Sequence, residues 1–484
     1  MLFIDKNNRM KISILIYLQN YNHQTVLLKH LTKDLHLSNF LVTKNLLAIK
    51  EDLTEYGISG IQLTLSENEV TVAISSADGV FELSNEYLRT SDKFLLFHQL
   101  FLSPRRTLKE YGTEIFLSVS KVYNLERKLQ INLAPFRIDI GNDHALIGDE
   151  VLVRKHLYTF YLNRFHALAY PFQEELRENL SIFLDQLEQK MPRPLSSMER
   201  MKLGYLLSIQ NIRIDTGFVL EHFKPFIQVH PDNPVLLLIQ HYLVTIGCPP
   251  QFIYKESYYI YSFLIAEKYL PTDEVEINFP EDFRKKSTEL LTLVDNLSKV
   301  SLNPHVRAVL FEETMLVNYK YLTYSSKIID DHREIFLLNY EQTFPHLFYT
   351  VKEYLFEHST KRVWEFRDQL LMEYLFILTK YLPISFFEDS ITMIVDFSMG
   401  ERFNEYITHI VEALDYLNVH VLKEKEPVAD IYLSDFSPLI PQKHHVLWTE
   451  PPKNADWEVL IQQVFLVKKE KYATSTTVVG SEMR

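Results

Sequence analysis

Residues 107–148 read TLKEYGTEIFLSVSKVYNLERKLQINLAPFRIDIGNDHALIG, and the order of elements in this stretch decides the fold. Thr107 and Glu110 have the S/T-x-x-E form of a capping box and open a short helix. A break at Phe116–Ser118 follows, and Val122, Leu125 and Leu129 then share one face of a second helix that Pro135 ends. Phe136, Ile138 and Ile140 alternate with polar residues, Gly141 and Asn142 make a turn, and 145–148 returns, which predicts a β-hairpin. Helix, short turn, helix and hairpin make the order of a winged helix-turn-helix.

Upstream the same order occurs once more. Ile12–Leu18 is an apolar run fit for a helix, and Leu27, Leu28, Leu31 and Leu35 recur at helical spacing. After a break at His36–Ser38, Ser38 is an N-cap for a helix that places Val42, Leu46, Ile49 and Leu53 on one face and stops near Gly57. Ile61, Leu63 and Leu65, then Val70, Val72 and Ile74, alternate about a turn at Glu67–Glu69. A helix around Glu86–Leu102 leads from this first unit into the second. Any helical domain contains helix pairs; two in tandem, each followed by a hairpin, carry more weight.

Downstream, 151–382 reads as helical throughout, with breaks at its prolines and a further capping box at Ser196 and Glu199. The last hundred residues change character. Ile391–Phe397, Val419–Leu422 and Ala429–Leu433 read as strands, Arg402–Leu417 and Trp457–Lys471 as helices, with a frayed end beyond, so a small α/β domain with a partly parallel sheet is expected. Only 11 of 484 residues are Gly, about 2% against a usual value near 7%, which disfavours glycine-rich nucleotide folds and favours long helices.

Charge and chemistry narrow the function. Residues 1–160 hold 18 basic and 18 acidic side chains, so the remainder carries the whole net charge of −13. Any contact with a polyanion is therefore expected in the first third. The lone Cys248 permits neither an intrachain disulfide nor a thiolate metal cluster, and no apolar run is long enough to span a membrane, so a cytoplasmic protein without a membrane anchor is expected. No phosphate-binding glycine loop, H-E-x-x-H or C-x-x-C occurs. An enzyme, a metal and a cofactor are accordingly not expected.

On the first candidate recognition helix, Asn39, Thr43, Lys44 and Lys50 point away from the apolar face, although the acidic turn at Glu67–Glu69 would repel a phosphate backbone. The second pair is richer. Its outward set is Ser118, Ser120, Lys121, Tyr123, Asn124, Arg127 and Lys128, with Arg105, Arg106 and Lys109 before it and Arg137 on the hairpin. Arg reads guanine bidentately, Asn reads adenine, and Lys supplies salt-sensitive phosphate contacts. An ordinary solvated face carries the same residue types. His222 and His332, read as lying on helices among acidic and aromatic residues, are the candidate phospho-acceptors, against the plainer reading of half-exposed structural histidines.

The order of elements over the whole length, with FRIDIGNDHALIGDE at 136–150 after the second helix pair, resembles the Mga family of transcriptional regulators of Gram-positive bacteria. The resemblance implies a mainly α multidomain protein. It would comprise two winged helix-turn-helix domains (1–75 and 76–160), two helical PRD-like bundles of the sugar-phosphotransferase-responsive type (161–275 and 276–387) and a small α/β EIIB-like domain (388–484). It also implies a regulator that binds double-stranded DNA, forms a homodimer and answers to phosphotransferase proteins. Two departures stand out. The segment comparable to the family's HLxxxxxR helix, Leu206–Arg213, has no His, and the turn after the first C-terminal strand, Asp396–Gly400, has no Cys to take a phosphate. The alternatives are an RNA-binding antiterminator carrying PRD modules, which would need aromatic stacking platforms, and a phosphotransfer enzyme component, which the missing Cys opposes.

Overall fold

The computed structural model describes residues 3–75, 78–165, 170–297, 302–326, 340–357, 366–422, 429–437, 443–448 and 452–482. It divides into two compact units, Met1–Ile277 with Thr323–Ile329, and Asn278–Leu322 with Asp330–Arg484.

The first unit opens with α1 (Lys6–Gln19), β1 (Thr25–Leu27), α2 (Leu28–Asp34), α3 (Asn39–Glu55), β2 (Ile61–Leu65) and β3 (Glu69–Ile74). Ser38 caps α3, its Oγ accepting from the Leu41 N–H, and Val42, Leu46 and Ile49 are fully buried beneath it. The strands form an antiparallel sheet in the order β1-β3-β2. The strand β1 was not foreseen: its three residues are too few for alternation to register, and it forms because it pairs with β3, Thr25 opposite Thr71.

The second set is α4 (Asp78–Arg89), α5 (Asp92–Leu102), α6 (Leu108–Glu114), α7 (Val119–Leu133), β4 (Ile138–Ile140) and β5 (Leu146–Gly148). The single helix expected over 86–102 is in fact broken at Thr90–Ser91, where the Ser91 hydroxyl donates to the Phe3 carbonyl, 2.5 Å. The Thr107/Glu110 capping box forms as read. A constant offset of about 80 residues relates the two helix pairs: α2 to α6, α3 to α7, and buried Val42, Ile49 and Leu53 to buried Val122, Leu129 and Leu133. The turns match as well, with His36 (φ 52°) and Phe116 (φ 56°) both left-handed. Gly112 serves the second turn directly, since a Cβ there would lie 2.5 Å from the Leu117 carbonyl oxygen.

Next come α8 (Glu150–Phe165), α9 (Glu174–Glu188), α10 (Ser197–Asp215), β6 (Ile227–Val229), α11 (Pro234–Thr245), α12 (Ile253–Ala266) and β7 (Val275–Ile277). The expectation that 151–382 holds only helices and their breaks fails at β6 and β7, a small antiparallel pair joined from distant positions, Gln228 opposite Glu276. A buried ion network binds these helices. Arg154 grips Glu256 bidentately (2.6 and 2.9 Å) and also reaches Glu150, while Arg213 holds the other side of Glu150 at 2.6 and 2.9 Å. The two arginines hold the Glu150 carboxyl below the ordinary Glu range against the opposing effect of burial.

The second unit contains α13 (Glu281–Leu297), α14 (Pro304–Thr323), α15 (Pro345–Glu357) and α16 (Arg367–Tyr381), packed around Leu290, Leu310, Leu347, Val351, Leu375 and Leu378. Then follow β8 (Ile391–Asp396), α17 (Glu401–Glu412), β9 (Val419–Val421), β10 (Ile431–Ser434), β11 (His445–Leu447) and α18 (Asn454–Glu482). The sheet order is β11-β10-β8-β9, and every pairing is parallel, so the expected partly parallel sheet is wholly parallel among the described residues. Its strand β11 escaped notice for the same reason as β1, and α18 continues past the expected end to Glu482.

Candidate nucleic-acid interface

The second helix pair sets its basic residues by cap and core together. Ser118 accepts from the Lys121 N–H and starts α7, while Val122, Leu129 and Leu133 bury one face. The opposite face is therefore turned out, and Ser118, Ser120, Lys121, Tyr123, Asn124, Arg127 and Lys128 are all exposed. Arg127 and Lys128 have no ion-pair partner among the described residues. Burial and the positive charge of Arg9 and Lys128 pull the Lys93 ammonium below its ordinary value, so Lys128 stands among other cations. Lys121, by contrast, is held by Asp92 at 2.5 Å.

The buried position that offset 80 relates to Leu46 is Glu126, which bonds His144 Nδ1 at 2.5 Å and so ties α7 to the β4–β5 hairpin. A carboxylate on the core face breaks the apolar pattern, which is the one sequence signal that would have exposed this tie. Lys109 and Arg137 are exposed, the latter in the left-handed region at φ 59°. Arg105 and Arg106 are exposed but engaged. Arg106 lies 3.9 Å from Glu114, whereas Arg105 contacts Asp143 at 3.3 Å, donates to the Thr216 carbonyl at 2.9 Å and lies over the Phe218 ring. On α3, Asn39, Lys44 and Lys50 are exposed and Thr43 is half-buried, but Phe40 and Leu47 share that face and Glu67 and Glu69 flank the hairpin turn.

Residues 80–161 match the Mga helix-turn-helix domain, a span that encloses α7 and its hairpin. This segment is similar to the helix-turn-helix domain of Mga-type regulators. Over 190 residues the chain is 20% identical to the capsule synthesis positive regulator AcpA of Bacillus anthracis, covering 39% of this chain and 36% of that protein. The chain thus spans about a third of the length of that curated relative.

The phosphate-related positions are scattered. His222 lies in a loop, not on a helix as expected, with its side chain 90% exposed and Glu221 beside it at 4.0 Å. The irregular backbone after Gly217 (φ 85°) interrupts the helical register that the sequence suggested. His332 lies outside the described residues. Leu206, standing where the family resemblance implies a His, is buried. In the turn after β8, the Ser398 N–H donates to Asp435 Oδ1 at 2.8 Å and its hydroxyl donates to Oδ2. No helix of the described residues is long and apolar enough to cross a membrane.

Proposed function

We propose that the chain is a cytoplasmic DNA-binding transcriptional regulator in which the second helix-turn-helix is the principal reader. The single observation that carries this reading is the exposed, ion-pair-free Arg127 and Lys128 beside Asn124 on α7, a short helix face fit for the major groove. The first pair, with Asn39, Thr43, Lys44 and Lys50, is an ancillary contact. Both helix pairs read as winged domains, and the β1-β3-β2 sheet behind α3 supports this for the first. Residues 161–275 and 276–387 act as PRD-like sensors, and 388–484 as an EIIB-like dimerisation domain, for which the all-parallel sheet flanked by α17 and α18 is the support. Response to phosphotransferase proteins would run through His222, the exposed candidate.

A second reading, an RNA-binding antiterminator, draws on the exposed rings of Phe116 (94%) and Tyr123 (51%) as stacking platforms. Titrating fluorescent duplex DNA and single-stranded RNA of matched length against the protein separates the two. Tighter, salt-sensitive binding of the duplex supports the DNA reading, and preference for the RNA overturns it.

A further inference from the structure

Helices α9, α10 and α11 border an open cleft of about 650 Å³, within the usual range of small-molecule sites. Its floor is aromatic: Phe183 and Tyr242 stack at 4.0 Å and 22°, and the Tyr242 hydroxyl accepts from Asn211 Nδ2 at 3.1 Å. The wall mixes carboxamides, Gln173, Asn179 and Gln186 on the α9 side and Asn211 on α10, with His241 and Thr245 of α11 and with aliphatic side chains such as Leu176 and Leu238. The side chains of Asn179 and Gln186 have no hydrogen-bond partner among the described residues.

This lining selects a ligand class by elimination. Among the described residues no Lys or Arg lines the cleft, while Glu175 and Asp215 do and His241 is the one lining side chain that can carry positive charge, so a phosphorylated or otherwise anionic ligand meets net repulsion. A purely apolar ligand would cover the apolar part of the lining but strip water from several amides without replacing their hydrogen bonds. Carboxamides both donate and accept, as hydroxyls do, and an aromatic pair below them suits the C–H face of a ring. The cleft also borders a mechanical element. Asn211 and Asp215 of α10 line it, while Arg213 of the same helix grips Glu150 and the Leu146 carbonyl (3.1 Å), where the second reader's hairpin ends. The helix end at Thr216 receives Arg105, as described above.

We propose that this cleft is a binding site for a small neutral polyhydroxylated molecule, of hexose or hexitol type. Its position on α10 makes it an effector site for the second reader, a consequence that rests on the DNA-binding reading, whereas the binding itself does not. The test uses the full chain, with glucose, galactose, mannitol and glucose 6-phosphate as probes, observed by saturation-transfer NMR. Wild type is compared with the doubly substituted Asn179→Leu/Gln186→Leu and, separately, with Thr245→Val, each checked by thermal melting. Saturable binding of a neutral probe that weakens by about 10-fold or more in the double variant supports the site. If the double variant melts early, Thr245→Val alone decides by the same loss. Three results overturn it: no neutral probe saturates, binding is unchanged in the folded variants, or glucose 6-phosphate binds as well as glucose. Loss of DNA binding with sugar binding intact would sink the reader assignment and leave the cleft standing.

Discussion

Replacing Arg127 and Lys128 together by Ala removes two positive charges from α7 that have no ion-pair partner among the described residues. Each lost phosphate contact lowers the slope of log K against log salt by about 0.9, so the double variant should flatten it by about 1.8. Over a fourfold rise in salt, from about 50 to about 200 mM, that difference changes the ratio of wild-type to variant affinity by about 12-fold, with the gap narrowing as salt rises. Both side chains are exposed, and removing them relieves repulsion around Lys93, so stability should shift by no more than about 0.5 kcal/mol. Fluorescence anisotropy with one duplex at five salt concentrations measures the slope, and a urea melt checks the fold. A well-folded variant whose slope equals that of the wild type would refute the assignment of α7.

Arg105→Ala should leave the slope within about half a unit of wild type, because this guanidinium is spent on Asp143 and the Thr216 carbonyl and not on phosphate. Glu256→Ala removes the bidentate partner of buried Arg154, leaving Glu150 as its remaining carboxylate, and should cost about 3 kcal/mol in denaturant unfolding. Glu126→Ala should cost about 1–3 kcal/mol, lost with the His144 tie, and Glu126→Gln less. Hydrogen bonds from Arg193 hold the Glu199 carboxyl down to about 2; a lowered folded pKa means stability present above the unfolded Glu value and lost as pH falls toward 2. Glu199→Gln should therefore flatten the acid side of the stability curve, read from melts between about pH 5 and 2.

The helix pairs were legible in the sequence because each is short-range: a cap residue, an apolar face at three and four, and a stop are all local. Ser38, Thr107 and Ser196 each cap the helix they were read to cap. What failed was non-local. The strands β1, β6, β7 and β11 are three residues each and exist only through partners far along the chain, as with Thr25 and Thr71 or Tyr432 and His445. The outward residues of α7 could be named from periodicity, but periodicity does not say which of them are already engaged. Arg105 and Lys121 look as free as Arg127 in the sequence, yet one latches onto Thr216 and the other onto Asp92. Glu126 was invisible as a tie because its partner His144 sits across a hairpin.

The most direct test of α7 as the reader is proximity to DNA. The sole native cysteine, Cys248, is buried and its thiol is pushed up to about 11, chiefly by that burial, so an introduced cysteine is selectively labelled. A photo-crosslinker on Asn124→Cys should form a covalent adduct with bound duplex at major-groove base positions, and one on His222→Cys should not. Cross-linking from position 222 with none from 124, in protein that still binds the duplex, would contradict the account.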